Sequence, residues 1–136
     1  MVLKKIKIPL LSSTVSAGFP SPADDYTEEN IDLNDILITN PSSTFFLRVK
    51  GDSMINSGIQ DEDLIIVDKS LIAKPGNIVI AILDGEFTVK KLAKKDNRFY
   101  LRAGNNNYPD FNLSNYSDVQ IWGVVIYAIH SLKSKP

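Results

Sequence analysis

The stretch NIVIAILDGEFTVKKL, residues 77–92, contains two runs rich in β-branched and aromatic residues, joined by Asp84-Gly85. An Asp-Gly pair fits the two central positions of a tight hairpin turn. The stretch therefore predicts a β-hairpin, NIVIAIL followed by EFTVKKL. A two-residue connection makes these strands antiparallel neighbours.

Other segments from Thr44 onward have the same strand character, namely TFFLRVK, DLIIVD, RFYLR and VQIWGVVIYAI. Pro75-Gly76 fits a type II turn, and Lys94 to Asn97 forms a polar connection. The last strand is apolar on both faces, so we expect it to be central in a sheet. Gly123 within it indicates a bulge or a close backbone contact. Short strands with tight turns predict a mainly β, compact antiparallel domain.

The remaining segments lack strand patterns. Residues 1–30 have no sustained period and contain three prolines and a glycine, which favours an extended N-terminal arm. IDLNDILI, residues 31–38, has helical spacing and predicts a short helical turn. Gly104 to Ser117, rich in asparagine, predicts a long surface loop. We therefore divide the chain into an arm, residues 1–30, and a β-rich domain, residues 31–136.

Composition excludes several classes of site. The chain has no cysteine and a single histidine, so we expect no disulfide, no thiolate nucleophile and no metal or cofactor site. The absence of cysteine suits a reducing cytoplasm. A net charge of −1 argues against a dominant nucleic-acid surface, and we expect no direct sequence-specific DNA binding.

No segment predicts a membrane anchor or a secretory signal. The chain contains no apolar run of about 18 residues, which is the length that a membrane-spanning helix needs. Near the N-terminus, the apolar stretch Ile8 to Leu11 contains a proline and is followed by three hydroxyl residues. It falls short of the roughly 7 to 15 apolar residues of a signal-peptide core, so we expect a cytoplasmic protein.

Without cysteine, a nucleophile for a carbonyl would have to be a serine or threonine with a base beside it. GDSM, Gly51 to Met54, follows a predicted strand, and a serine there can expose its hydroxyl near backbone N–H groups that would stabilise an oxyanion. A capped turn without chemistry is the alternative for this stretch. His130, beside the basic tail, is expected to be a surface histidine.

A lysine can serve as the base when it is neutral, and burial favours the neutral form. Lys90 and Lys91 point to opposite faces of the second hairpin strand. Both faces carry apolar residues, so periodicity does not choose between them. The alternative is that both are solvated lysines on a strand.

Several motifs together carry a resemblance: GFPSPADDY (18–26), IDLNDILI (31–38), VKGDSMINSGIQDEDLIIVD (49–68), NIVIAILDGEFTVKKL (77–92), Asn105 with Tyr108, and WGVVIYAI (122–129). With these motifs the chain resembles the LexA/UmuD family of self-cleaving Ser-Lys peptidases. Within that family it is most similar to the UmuD-like subunits of error-prone DNA polymerases. Glu62 departs from the pattern, because relatives usually have a glycine at that position.

The resemblance implies roles for individual residues. Ser53 would be the nucleophile and Lys90 the general base, and the bond cut would join Ala17 to Gly18 in the same chain's arm. Backbone amides at or beside Ser53 would bind the oxyanion, with Met54 supporting the pocket. Because only 17 residues precede the bond, we expect a UmuD-like subunit rather than a repressor with its own DNA-binding domain.

The resemblance also implies partners. It predicts a homodimer whose cleavage is stimulated by a RecA filament on single-stranded DNA during the SOS response. The shortened form would join a Y-family, UmuC-like polymerase in translesion synthesis and possibly contact the replicative polymerase or clamp. Three other interpretations remain: a non-catalytic polymerase-interaction module, a self-cleaving repressor core, and a signal peptidase, which the missing anchor disfavours.

Overall fold

The computed structural model describes residues 4–20, 27–115 and 118–133. Residues 1–3 and 21–26 of the predicted arm and residues 116–117 of the predicted loop lie outside this part of the chain. Contacts divide the chain between Thr39 and Asn40 into two compact units. Among the described residues, no helix has the length and apolar character needed to cross a membrane.

The first unit contains a two-stranded ribbon and a short helix. Strand β1, Ile8–Leu11, pairs antiparallel with strand β2, Glu28–Ile31. Helix α1, Leu33–Leu37, follows at once, and Asp32 caps its first turn by accepting a hydrogen bond from the Asn34 N–H. The predicted helical turn is therefore confirmed.

The pairing of β1 with β2 was not predicted. Each strand has four residues, and all of them are exposed except Ile31, so neither strand has the alternating apolar pattern that marks a half-buried strand. Pro9 also lies within β1, opposite Asn30. Proline is tolerated there because, among the described residues, β1 pairs with β2 alone and its other edge needs no hydrogen bonds.

The described part of the second unit forms one seven-stranded antiparallel sheet, which confirms the predicted fold class. Its strands, in chain order, are β3 Thr44–Arg48, β4 Leu64–Asp68, β5 Ile78–Leu83, β6 Glu86–Lys95, β7 Arg98–Arg102, β8 Phe111–Asn112 and β9 Val119–Ile129. In space their order is β3-β4-β9-β5-β6-β7-β8. Short 3-10 helices lie at Pro41–Ser43, Ile55–Ser57 and Leu113–Asn115.

Two turns follow the sequence prediction closely. Asp84 and Gly85 have φ angles of 48° and 88°, as a two-residue hairpin turn requires. Gly76 has φ 97°, and the Asn77 N–H donates to the Lys74 carbonyl over 3.0 Å, which completes the type II turn after Pro75.

Two connections are shorter in the structure than the sequence predicts. Strand β6 continues to Lys95, and only Asp96 and Asn97 form the turn, with φ angles of 53° and 62°. Aspartate and asparagine tolerate this left-handed region, so a two-residue turn suffices here. The predicted loop from Gly104 contains β8, whose two residues pair with β7. A two-residue strand leaves no period in the sequence.

Strand β9 lies between β4 and β5, as its apolar faces predicted. Ile80 pairs with Gly123 and Ala81 with Ile121, so Trp122 is an extra residue and forms a bulge. A Cβ atom on Gly123 would lie 2.6 Å from Val67 Cγ1. Both predicted roles of this glycine, bulge and close contact, are confirmed.

The sheet is strongly curled. Strands β3 and β6 stand four positions apart in the sheet, which is about 19 Å in a flat sheet. Yet side chains from both strands pack on one hydrophobic core, whose buried residues are Val49, Met54, Ile59, Ile65, Val67 and Ile80, with Leu47 of β3 and Val89 of β6 against them. The curl brings the end of β3 toward the face of β6, where the candidate site lies.

A buried aspartate ties the start of β3 to the end of β4. Asp68 is buried and accepts hydrogen bonds from the Asn40 amide, the Ser43 hydroxyl and the Ser70 hydroxyl and N–H, all between 2.6 and 2.9 Å. These hydrogen bonds, Asn40 first, outweigh the cost of burial and lower the pKa of Asp68 to about 2.

We predict that Asp68→Asn lowers the free energy of unfolding at pH 7 by about 2 kcal/mol. The folded-state pKa lies below the ordinary 3.8, so this stability is present above pH 3.8 and disappears as the pH falls toward 2. The gap between variant and wild type should close over that range in urea titrations. Glu86→Gln, at an exposed carboxylate, is the control, and a gap that does not depend on pH would contradict the prediction.

We also predict that Gly123→Ala destabilises the protein by about 1 to 3 kcal/mol, because the added methyl group overlaps Val67 in the buried centre of the sheet. Gly18→Ala is the matched control, since no atom lies within 4 Å of the corresponding Cβ position. Chemical denaturation measures both. Equal stability of the two variants would show that β4 and β9 can separate at no cost.

Candidate active site

Ser53 lies on a turn between β3 and a short helix. The chain leaves β3 after Arg48 and turns at Gly51, whose φ of 96° favours glycine. The Gly51 N–H donates to Asp61 Oδ1 over 2.7 Å, which fixes the beginning of the turn. The 3-10 helix Ile55–Ser57 fixes its end. Ser53 is half-buried between them.

Lys90 reaches Ser53 from the middle of β6. Its Nζ atom donates to Ser53 Oγ over 3.1 Å, and the residue is only 6% exposed. Burial lowers the pKa of Lys90 below its ordinary value of 10.5, because the ammonium ion loses hydration. The Nζ atom also lies 6.0 Å from the centre of the Phe111 ring.

Lys91 occupies the opposite face of β6. It is exposed and pairs with Ile78 on one side and Arg102 on the other. The structure therefore brings Lys90, and not Lys91, to the serine. The chemical roles assigned to Ser53 and Lys90 remain a prediction.

A groove of about 560 Å³ passes the two side chains. Most of its lining is apolar, and the residues include Leu47, Val49, Ile65, Ile80, Phe87 and Phe111. Such a surface fits an extended segment with small or apolar side chains better than a charged one.

The backbone beside Ser53 offers hydrogen-bond donors. Within the described residues, the N–H groups of Ser53 and Met54 donate to no acceptor. Free donors next to a nucleophile are what an oxyanion site needs. The Met54 side chain is buried in the core, and its Sδ atom accepts a hydrogen bond from the Gly104 N–H over 3.2 Å.

Three polar residues of the site had no assigned role in the sequence. Tyr108 donates its hydroxyl hydrogen to Asp52 Oδ1 over 2.9 Å, and Asn105 donates to the Asp52 carbonyl over 3.1 Å. These partners are 56 and 53 residues apart, so no local pattern could pair them. The only signal was that Asn105 and Tyr108 belong to the motifs of the resemblance.

The predicted cleavage bond lies in the first unit, in the connection between β1 and β2. Ala17 and Gly18 are both exposed, and no atom lies within 4 Å of the Cβ position of Gly18. Val15 and Phe19 flank the bond and are 95% and 87% exposed. The connection thus presents a small-residue bond between two unburied apolar side chains.

His130 lies against a different cavity. Its Nδ1 atom is 3.7 Å from Asp63 Oδ2, and it lines a second cavity with Gln60 and Ser131. The described lining of the groove at Ser53 does not include it. It is therefore no base for Ser53 in this arrangement.

Glu62, which stands where relatives usually have glycine, adopts a backbone conformation that favours glycine. Its φ is 70°, in the left-handed region that favours glycine. The Glu62 N–H donates to the Val49 carbonyl over 2.8 Å, and its carboxylate lies 3.4 Å from Lys50 Nζ. The chain thus makes the same turn with glutamate at a modest conformational cost.

A curled β domain that holds a serine against a buried lysine has the arrangement of a candidate serine peptidase, and comparison with known proteins agrees. The Peptidase S24-like family matches residues 9–126. The chain belongs to this family.

The chain is similar to individual relatives over most of its own length. The chain is 48% identical over 126 residues to protein SamA of Salmonella typhimurium strain LT2, covering 93% of this chain and 87% of the relative. It is 44% identical over 122 residues to protein ImpA of Escherichia coli, covering 90% and 83%. It is 38% identical over 104 residues to the LexA repressor of Clostridium kluyveri, covering 76% of this chain and 51% of the repressor. The family resemblance noted in the sequence is confirmed.

The burial of Lys90 makes a prediction about stability. Lys90→Met should raise the free energy of unfolding at neutral pH, because it removes an amine that is charged in water and disfavoured when buried. The folded-state pKa lies below the unfolded value of 10.5, so this cost is complete below the folded-state pKa and vanishes as the pH rises to 10.5.

Urea titrations between pH 7 and pH 11 measure the gap in the free energy of unfolding between Lys90→Met and the wild type. This gap should narrow with rising pH. Lys91→Met, at the exposed neighbouring position, is the matched control and should show no such trend. A gap for Lys90→Met that stays constant across the range would mean that burial does not perturb this amine.

Proposed function

We propose that the chain is a UmuD-like protein of the SOS response that cuts itself between Ala17 and Gly18. Ser53 is the nucleophile and Lys90 the general base. The observation that carries the proposal is the 3.1 Å contact between Lys90 Nζ and Ser53 Oγ, made by an amine that is almost fully buried. Family membership and the similarity to the LexA repressor support the same chemistry.

The reaction begins when Lys90 is neutral. Its Nζ atom takes the hydroxyl proton of Ser53, and Oγ attacks the carbonyl carbon of Ala17. The resulting ammonium then gives the proton to the departing amide nitrogen of Gly18, and an ester joins Ser53 to Ala17. Water, losing a proton to Lys90, hydrolyses the ester and restores the serine.

The backbone supports the charged intermediate. The free N–H groups of Ser53 and Met54 would donate to the oxygen of the Ala17 carbonyl as it becomes negative. Gly51 adds no side chain to this turn, which leaves room for the substrate backbone. These groups supply the electrostatic stabilisation, and the lysine supplies the proton transfer.

The substrate segment is part of the same chain. Ala17 and Gly18 are small, so a strand-like segment can approach the serine closely. Val15 and Phe19, exposed beside the bond, are suited to the apolar groove. A tethered substrate needs no affinity of its own, because the linkage already gives it a high effective concentration.

The biological setting follows from the resemblance to UmuD-like proteins. We propose a cytoplasmic homodimer whose cleavage is stimulated by a RecA filament on single-stranded DNA. The product, residues 18–136, would serve as the accessory subunit of a Y-family polymerase in translesion synthesis. The similarity to SamA and ImpA over most of each chain supports this setting.

Self-cleavage has a direct test. Incubated between pH 7 and pH 10, the purified full chain should yield a fragment that begins at Gly18, detected by mass spectrometry. The first-order rate should rise with pH, because the lowered pKa of Lys90 makes more of the amine neutral as the pH increases. Ser53→Ala and Lys90→Ala should each lower the rate by a factor on the order of 10³ or more.

Lys91→Ala is the matched control and should cleave at the wild-type rate. A Gly18 fragment from either Ser53→Ala or Lys90→Ala would refute the assigned pair. Adding a RecA filament assembled on single-stranded DNA at pH 7 should accelerate cleavage. If neither the filament nor alkaline pH yields a fragment, the chain is a non-catalytic interaction module.

A further inference from the structure

The segment after β7 holds the Ser53 turn from outside. The Asp52 carboxylate accepts a hydrogen bond from the Tyr108 hydroxyl, and the Asp52 carbonyl accepts one from the Asn105 side-chain amide. On the other side of Ser53, Gly104 donates its N–H to Met54 Sδ and accepts from the Asn56 N–H. The nucleophile is thus held on both sides by one short stretch of chain, residues 104–108, which we call the clamp segment.

Outside the clamp segment, the turn is fixed by local backbone hydrogen bonds and by the buried Met54 side chain. Asp52 and Ser53 lie outside any strand or helix, and Asp52 is exposed. The Gly51 contact with Asp61 fixes the backbone before Asp52, and the 3-10 helix begins after Met54. Between those points, the Ile55 N–H donates to the Asp52 carbonyl over 3.2 Å, and Lys90 Nζ donates to Ser53 Oγ. The remaining side-chain contacts come from the clamp segment and reach the serine through its two neighbours, Asp52 and Met54.

The clamp segment in turn packs closely against the 3-10 helix that follows the turn and is ordered by a hydrogen bond of its own. A Cβ atom on Gly104 would lie 2.5 Å from Ser57 Oγ and 2.9 Å from the Ser57 backbone nitrogen. Asn105 accepts a hydrogen bond from the Asn107 N–H over 3.0 Å, which orients its side-chain amide toward Asp52. The segment that carries Tyr108 toward Asp52 is therefore itself ordered.

We infer that Tyr108 is a positioning residue for Ser53: its hydroxyl hydrogen bond to Asp52 holds the turn in the orientation in which Ser53 Oγ meets Lys90 Nζ. This inference rests on the proposed function for its effect on cleavage. Tyr108 takes no part in bond making. It acts through Asp52 and keeps the serine in place while the proton moves.

The protonation of Tyr108 separates this role from simple packing. The hydrogen bond to Asp52, followed by the negative charge of that carboxylate, raises the pKa of Tyr108 above its ordinary 10.0. The other charged groups that line the groove are Arg48, Lys50 and Lys90. Once the phenol ionises, two negative groups face each other and the hydrogen bond is lost.

The test compares Tyr108→Phe with the wild-type full chain across pH 7 to pH 12. The variant keeps the ring and loses the hydroxyl, and it should cleave about tenfold more slowly at pH 9. The wild-type rate should rise with Lys90 deprotonation and then fall as Tyr108 ionises. Tyr108→Phe should keep the rise and lose the fall, provided that circular dichroism shows both proteins folded.

Tyr100→Phe is the matched control. Tyr100 lies on β7 and is not among the described residues that line the groove. This variant should follow the wild-type profile at every pH. An alkaline fall that persists in Tyr108→Phe, or a rate within twofold of wild type, would overturn the inference.

Asp52→Asn supplies a second, conservative variant. Its side-chain oxygen can still accept from Tyr108, so most of the cleavage rate at pH 8 should remain. The carboxylate that raises the Tyr108 pKa is gone, so the alkaline fall should move to lower pH. A fall at the wild-type position would contradict the inference.

A measurement that does not depend on cleavage tests the positioning role of Tyr108 separately from the proposed function. In the Ser53→Ala background, nitrogen-15 relaxation should give rigid order parameters at residues 53 and 54, about 0.85, and Tyr108→Phe should lower them toward about 0.6. Unchanged values would overturn the clamp even if the protein cleaves. A wild-type chain that never cleaves, with order parameters that do fall, would refute only the proposed function.

Discussion

The candidate site is built around one contact, between the buried amine of Lys90 and the hydroxyl of Ser53. Lys90 lies in the middle of a strand, where burial makes its charged form unfavourable and its neutral form more accessible. An amine in such a place needs a polar partner at its end. Ser53 supplies that partner from a turn far along the sheet, and both the curl of the sheet and the turn at Gly51 serve to deliver it.

The register irregularities of the described sheet lie on β9. Strand β9 carries two bulges, one opposite β4 between Val67 and Ile66 and one opposite β5 at Trp122. Bulges increase the local twist and bend the strand that carries them. Gly123 lets β9 approach Val67 closely at the same point. A bent central strand brings β3 and β6 onto one core, and the serine turn follows from there.

The sequence was informative where a pattern is repeated and local. The strands from Thr44 onward, the hairpin at Asp84-Gly85 and the role of Gly123 all followed from alternation, turn chemistry and apolar faces. The ribbon of β1 and β2 did not, because exposed four-residue strands leave no pattern. Lys90 and Lys91 also could not be separated by periodicity, since the strand has apolar residues on both faces.

Long-range contacts were beyond the reach of local patterns. The clamp segment contacts the Ser53 turn across more than 50 residues of chain. No sequence pattern near Tyr108 or Asp52 predicts that the two residues are partners. The position of Lys90 opposite Ser53 depends in the same way on the curl of the whole sheet. The resemblance indicated both sets of residues, but only the fold gives a physical reason for them.

Two groups at the site, Lys90 and Tyr108, have pKa values that are shifted in opposite directions. With ordinary pKa values of 10.5 for lysine and 10.0 for tyrosine, the phenol of Tyr108 would lose its proton before Lys90 became neutral. On the proposed function, the hydrogen bond from Tyr108 to Asp52 would then be lost just as Lys90 became able to act as the base. Burial lowers the pKa of the lysine, while the Asp52 carboxylate raises that of the phenol, so both shifts act to reverse this order. On the proposed function, Asp52 therefore has a purpose beyond turn geometry: it keeps a neighbouring donor protonated under the conditions in which the serine is activated.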